Sequence, residues 1–167
     1  MGINVYISNQ IKSRMNIIGS YECKADTKGR VMLPTDLKKQ LADSLKEGFV
    51  LKRSVFQKCL ELYSMSEWQN EVSIVNKLNR FVKKNNDFIR MFMAGVRTIE
   101  LDGTGRLQIP KDLVNFSGIS KDVVLSSSVN RIEIWDKAAY EAVISDPNVD
   151  FGQLAEDVMG NIESLGS

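Results

Sequence analysis

The 167-residue sequence contains no histidine, two cysteines and no long apolar run. Without an imidazole the chain cannot build a Ser-His or Cys-His nucleophile pair, a histidine general base or a histidine metal site. Cys23 and Cys59 are too few for a disulfide framework or a four-ligand structural zinc site, so both are read as reduced thiols in a cytoplasmic protein. No stretch approaches the ~20 apolar residues of a membrane helix, and the N-terminal MGINVYISNQIKSRM has no apolar signal core. Neither a metal, a cofactor nor a small-molecule ligand is expected. What is present is average for a globular chain, with 43% hydrophobic and 26% charged residues. The formal net charge of +1 hides an asymmetry: residues 1–98 carry 17 basic and 9 acidic side chains, residues 99–167 carry 5 and 12. Such a division points to a basic working surface with an acidic remainder.

The chain repeats itself. DTKGRVMLPTDL at 26–37 matches DGTGRLQIPKDL at 102–113, with identities at Asp26/Asp102, Gly29/Gly105, Arg30/Arg106, Pro34/Pro110, Asp36/Asp112 and Leu37/Leu113. Downstream, Val50-Leu51 pairs with Val124-Leu125, Leu60-Glu61-Leu62-Tyr63 with Ile132-Glu133-Ile134-Trp135, and Trp68 with Tyr140. Each unit of about 50 residues is too small to bury an adequate core alone, so two tandem units are expected to fold against each other.

Each unit reads as strand, turn, strand, short helix, hairpin, longer helix. In the first, Tyr21 to Ala25 is predicted to pair with Arg30 to Leu33 across Asp-Thr-Lys-Gly, where Asp at i and Gly at i+3 fit a type I turn. Pro34 ends the strand and presets a helix, with Asp36 near its positive end. Strands follow at Phe49 to Lys52 and Cys59 to Tyr63, and Ser64-x-x-Glu67 is a capping box that opens a helix. Asn79 to Met93 connects the units, with Phe88, Met91, Phe92 and Met93 read as core and interface packing. In the tail, Phe151, Leu154, Ala155, Val158, Met159 and Ile162 fall on one helical face, after an Asp150/Gln153 cap. A helix so short must bury that stripe, on its own chain or on a neighbouring subunit.

The doubled D-x-x-G-R-[apolar]-x-[apolar]-P element, with VVLSSSVNRIEIWD at 123–136, closely resembles the MraZ proteins over about residues 15–145. The resemblance implies an α+β fold with a mostly β core, made of two tandem pseudo-symmetric AbrB-like swapped-hairpin β-barrel units with flanking helices. It divides the chain into units at 15–78 and 95–145, a connector at 79–94 and a helical tail at 146–167, with Met1 to Arg14 as an extra leader. It further implies a transcriptional regulator of the bacterial cell-division and cell-wall gene cluster, nucleoid-associated. Such a protein works as a homo-oligomeric ring on repeated boxes of double-stranded promoter DNA, with no membrane partner. An interaction module of the antitoxin-like swapped-hairpin type is the alternative, and it would need an extended tail that wraps a partner. A carboxylate enzyme is nowhere supported.

The candidate DNA-binding residues are Lys28, Gly29, Arg30, Lys38 and Lys39 around the first turn, Lys52 and Arg53 in a second basic stretch with Lys58, and Arg106 in the second unit. Their counterparts Thr104, Val114, Asn115, Ser126 and Ser127 are uncharged. Packing would not confine the basic excess to one of two similar units, which favours nucleic-acid contact over a merely solvated face. Asp26, Asp102 and Gly105 are read as turn-organising, since a carboxylate facing phosphate is repelled. Arg30, fixed by Asp26, is expected to read guanine. Thr104 in place of Lys28 leaves the second turn without a phosphate-binding cation.

Overall fold

The computed structural model describes residues 16–160 and 162; the leader at Met1 to Arg14 lies outside them. The residues up to Lys137 form one compact unit and those from Ala138 a second. The first unit contains, in order, β1 (Ser20–Lys24), β2 (Arg30–Met32), α1 (Thr35–Gln40), a 3-10 turn (Ala42–Ser44), β3 (Phe49–Arg53), β4 (Leu60–Ser64), α2 (Met65–Val75), α3 (Lys83–Met93), β5 (Arg97–Ile99), β6 (Arg106–Gln108), α4 (Lys111–Ser117), β7 (Asp122–Ser128) and β8 (Arg131–Asp136). Helix α5 (Lys137–Ile144) leads out of it, and α6 (Phe151–Met159) lies in the second unit.

The strand pairing corrects the local hairpins expected from the turns. β1 forms its ladder with β7, Tyr21 opposite Leu125, and has no ladder with its own repeat, where the Ala25–Val31 bridge follows it and the Tyr21 hydroxyl donates to Asp36 Oδ2 at 2.7 Å. β5 pairs with β3, Ile99 opposite Phe49, and β2 pairs with β6, Val31 opposite Leu107. Each repeat therefore lends its first strand to the other. Exchange sets the five-residue β1 beside the seven-residue β7 and buries apolar side chains from both repeats in one core. The result is an antiparallel six-stranded sheet in the open order β1-β7-β8-β4-β3-β5 and a separate β2-β6 ribbon, with no pairing among the described strands that closes a barrel.

The register obeys an approximate two-fold symmetry. Val31 faces its own counterpart Leu107, and Glu61 faces its counterpart Glu133 in the β4-β8 pair. The core lies between the ribbon, the short helices and the sheet, where Leu33, Leu37, Leu107, Ile109 and Leu113 are at most 2% exposed. Each such side chain contributes about 1.5–3 kcal/mol by leaving water. Pro34 and Pro110 stand at the N-caps of α1 and α4, while Ser64 Oγ accepts from Glu67 N–H at 3.3 Å to cap α2. On α3 only Phe92 is buried, stacked on Trp68 with ring centroids 6.1 Å apart; Phe88, Met91 and Met93 face outward, against the packing expected for them.

The β7-β8 hairpin turns at Val129, whose φ of 60° puts a β-branched residue in the left-handed region while its side chain stays exposed. Glycine relieves that strain at some cost in backbone entropy. Val129→Gly should stabilise the chain by about 1 kcal/mol, read as a rise of roughly 2–4 °C in Tm; an unchanged or lower Tm would show the turn to be unstrained.

Candidate nucleic-acid interface

The ribbon alternates. Val31 and Leu107 point into the core, so Arg30 and Met32 on β2 and Arg106 and Gln108 on β6 share the outer face. Arg30 stands opposite Gln108 and Met32 opposite Arg106, which makes a small rectangle with one guanidinium at each diagonal corner. Gln108 and Met32 were not singled out from the sequence. Their alternation with buried Leu107 and Val31 was the signal that could have found them.

Each turn is held by its own aspartate. Asp26 Oδ1 accepts from the N–H groups of Lys28 and Arg30, both at 2.9 Å, and Oδ2 accepts from Arg30 Nε at 2.6 Å. In the second turn Asp102 Oδ1 accepts from Thr104 N–H at 3.0 Å, Thr104 Oγ1 at 2.8 Å and Arg106 N–H at 3.0 Å, and Oδ2 accepts from Arg106 Nε at 2.8 Å. Where the first turn has a lysine, the threonine hydroxyl thus becomes an extra turn bond. Both arginines are held by their aspartates through Nε, and about a third of each side chain is exposed. A carboxylate that binds the edge of a guanidinium without covering its far side preorganises the cation.

Those hydrogen bonds hold both carboxyls below the ordinary aspartate range, chiefly through the backbone N–H of Arg30 for Asp26 and of Arg106 for Asp102, with the Thr104 hydroxyl next for Asp102. A depressed carboxyl contributes stability that is present above its unfolded pKa and is lost as pH falls through the folded value. Carboxyl-carbon NMR should therefore find both residues less protonated at pH 4 than an ordinary aspartate, which is about half protonated there. Ordinary midpoints at both would contradict the turn geometry.

The turns also lock the repeats together. Gly29 C=O accepts from Ile109 N–H at 2.9 Å, and Gly105 C=O accepts from Leu33 N–H at 3.2 Å. Both glycines are left-handed, at φ 78° and 86°. A Cβ on Gly29 would sit 2.8 Å from the Ile109 carbonyl oxygen, a fixed backbone atom, whereas one on Gly105 would meet only the mobile end of Lys38. Gly29→Ala should cost about 1–3 kcal/mol and Gly105→Ala less, about 1–2 kcal/mol, in chemical denaturation. Equal costs, or a larger one at Gly105, would mean that the backbone contact does not matter.

Lys28 is exposed at the first turn and Lys39 on α1. Lys38 lies elsewhere than its place in sequence suggested: its Nζ is beside Gly105 of the second turn and 3.8 Å from Met32 Sδ. Strand exchange sets each turn against the other repeat's helix, so the second turn, with no lysine of its own, is given one from α1. Beside the first turn a groove is lined by Lys111, Asn115, Ser120 and Lys121. Lys52 is a correction. It is 1% exposed, paired with Glu61 at 3.3 Å and set over the Phe92 ring at 4.3 Å, out of reach of phosphate. Arg53 stands 5.0 Å over the Phe116 ring. Burial and the neighbouring Glu133 push the Cys59 thiol up to about 12, which leaves it protonated and inert. Among the described residues no group of acidic or thiol side chains could hold a metal, and no helix is long and apolar enough to cross a membrane.

A doubled α+β chain whose repeats exchange strands and present paired Asp-Arg turns defines the class of protein, and comparison with known sequences narrows it. The family model described as "MraZ protein, putative antitoxin-like" matches twice, at residues 17–91 and 91–161. The chain is 67% identical over 146 residues to the transcriptional regulator MraZ of Flavobacterium psychrophilum, covering 87% of this chain and 93% of that protein. It is 61% identical to the protein of the same name from Christiangramia forsetii, over 88% of this chain and 95% of the relative. The corresponding protein of Cytophaga hutchinsonii is 38% identical, over 83% and 91%. The chain belongs to the MraZ family.

Proposed function

We propose that the chain is a sequence-specific DNA-binding transcriptional regulator and not an enzyme, and that its working surface is the outer face of the β2-β6 ribbon with its two turns. The observation that carries this is the pair of symmetry-related arginines on the outer face of the ribbon, each fixed through Nε by its own aspartate. A two-stranded ribbon fits the major groove of B-DNA, where arginine reads guanine through O6 and N7 and glutamine reads adenine. Lys28, Lys38 and Lys39 flank that face as phosphate contacts that position without specifying. The exchange of first strands supports the swapped-hairpin architecture of two AbrB-like units, at 15–78 and 95–145.

So few cations give one chain only weak affinity. A homo-oligomeric ring would turn later contacts into intramolecular ones at high effective concentration, and the DNA would then need repeated boxes at matching spacing. The gene cluster regulated is that of cell division and the cell wall, which places the protein on the nucleoid. The antitoxin-like alternative would need an extended arm that wraps a partner, whereas residues 151–159 form a helix.

The test is a fluorescence-anisotropy titration with DNA from upstream of the gene and with a shuffled duplex, at two salt concentrations. Tighter binding to the upstream DNA at both salts is expected, with affinity falling steeply as salt rises. Equal binding to both duplexes would remove sequence specificity, and no binding to either would remove DNA.

A further inference from the structure

Two apolar surfaces lie open on this chain, and their charges are opposite. The first is a groove between the β3-β4 loop and α3, walled by Val55, Phe56, Phe88, Met91 and Phe116. Phe56 is 92% exposed and Met91 78%. Arg53 and Lys58 also line it, while on α3 Lys83 and Arg90 are already engaged by Asp87 at 2.7 and 3.1 Å. The second is the stripe of α6, where Phe151, Leu154, Val158 and Met159 are exposed, with Ile162 beyond its end. Asp150 Oδ1 caps this helix by accepting from Gln153 N–H at 3.2 Å. From residue 138 to the end the sequence has six acidic side chains and no lysine or arginine. Apolar faces of this kind mark interaction sites, and an amphipathic helix laid in a groove is a recurrent solution.

We infer that α6 of one copy docks by its apolar stripe into the groove between the β3-β4 loop and α3 of a second copy. The occupant is specified by complementarity, since the groove carries Arg53 and Lys58 and every charged side chain of the tail is acidic. A helix on a groove is a heterologous contact, which propagates head to tail and closes into a ring when the rotation permits. This contact rests on the oligomer proposed above and names the interface that builds it. It also keeps the acidic tail on a surface distinct from the ribbon.

Met91→Asp in the groove and Leu154→Asp on the helix each replace an exposed residue, so the fold, followed by circular dichroism, should not change. Light scattering should report a mass at least halved for both variants, with DNA affinity falling through lost avidity. Crosslinking identifies the source of the helix. Gln57→Cys on a tagged chain, co-expressed with Gln153→Cys on an untagged one and treated with a bismaleimide, should give tagged-untagged pairs well above the background from Cys23 and Cys59. Unchanged mass in both variants, or no tagged-untagged pairs above that background, would overturn the docking while leaving an oligomer built some other way. A wild-type protein that is monomeric at micromolar concentration would instead remove the oligomer itself, and the docking with it.

Discussion

Glu61→Ala should destabilise the chain by about 3–5 kcal/mol and lower Tm by roughly 6–20 °C, because it strands a buried cation. The Glu61 carboxylate is 4% exposed and serves three neighbours. Its Oε1 accepts from Lys52 Nζ at 3.3 Å and from the Tyr63 hydroxyl at 3.2 Å, while Oε2 pairs with Arg131 Nη2 at 3.3 Å. Lys52 keeps only the Arg53 carbonyl, at 2.5 Å, and the face of Phe92 when that carboxylate is gone. A lone carbonyl and a ring do not offset the desolvation of an ammonium. The comparison with Lys52→Met/Glu61→Gln decides the cause. Removing the buried charge together with its anion should cost distinctly less than Glu61→Ala, since no unpaired ammonium remains. If the single change costs under 1 kcal/mol, the buried pair is not a determinant of stability.

Arg30→Ala and Arg106→Ala should each lower specific DNA affinity by about 1–3 kcal/mol, roughly 5- to 150-fold, without altering the fold. Each loss should also relax preference at one base position, which separates it from Lys28→Ala. That lysine sits at an exposed turn with no geometry for base reading, so its removal should weaken binding to all sequences alike and flatten the salt slope by about one unit. Arg30→Lys should not rescue Arg30→Ala, because an ammonium has no fork to span O6 and N7 and no Nε to lie on Asp26. If all three variants bind the upstream DNA like the wild-type protein, the ribbon face is not the reading surface.

Much of this arrangement is legible in the sequence. The repeated Asp-x-x-Gly-Arg element marks both turns, the prolines mark the starts of α1 and α4, and Ser64 marks the cap of α2, since each signal acts within a few residues. Strand exchange is not legible. The turn at Asp26 announces a hairpin, yet which strand completes each ladder depends on partners some 100 residues away, as Tyr21 opposite Leu125 shows. Lys52 fails for a related reason. Alternation sends it away from buried Leu51, toward what would be solvent in a one-sided sheet, but α3 covers that face with Phe92. The position of Lys38 beside Gly105 follows from the same exchange, so the cations near each turn could be assigned only from the fold.

Amide hydrogen exchange with and without the upstream DNA tests the ribbon assignment most directly, because it reports the contact surface without any substitution. Bound DNA should slow exchange at residues 26–32 and 102–108, in both repeats, with smaller effects along α1. Protection confined to α6 or to the groove beside α3, with both turns exchanging as in the free protein, would contradict the account.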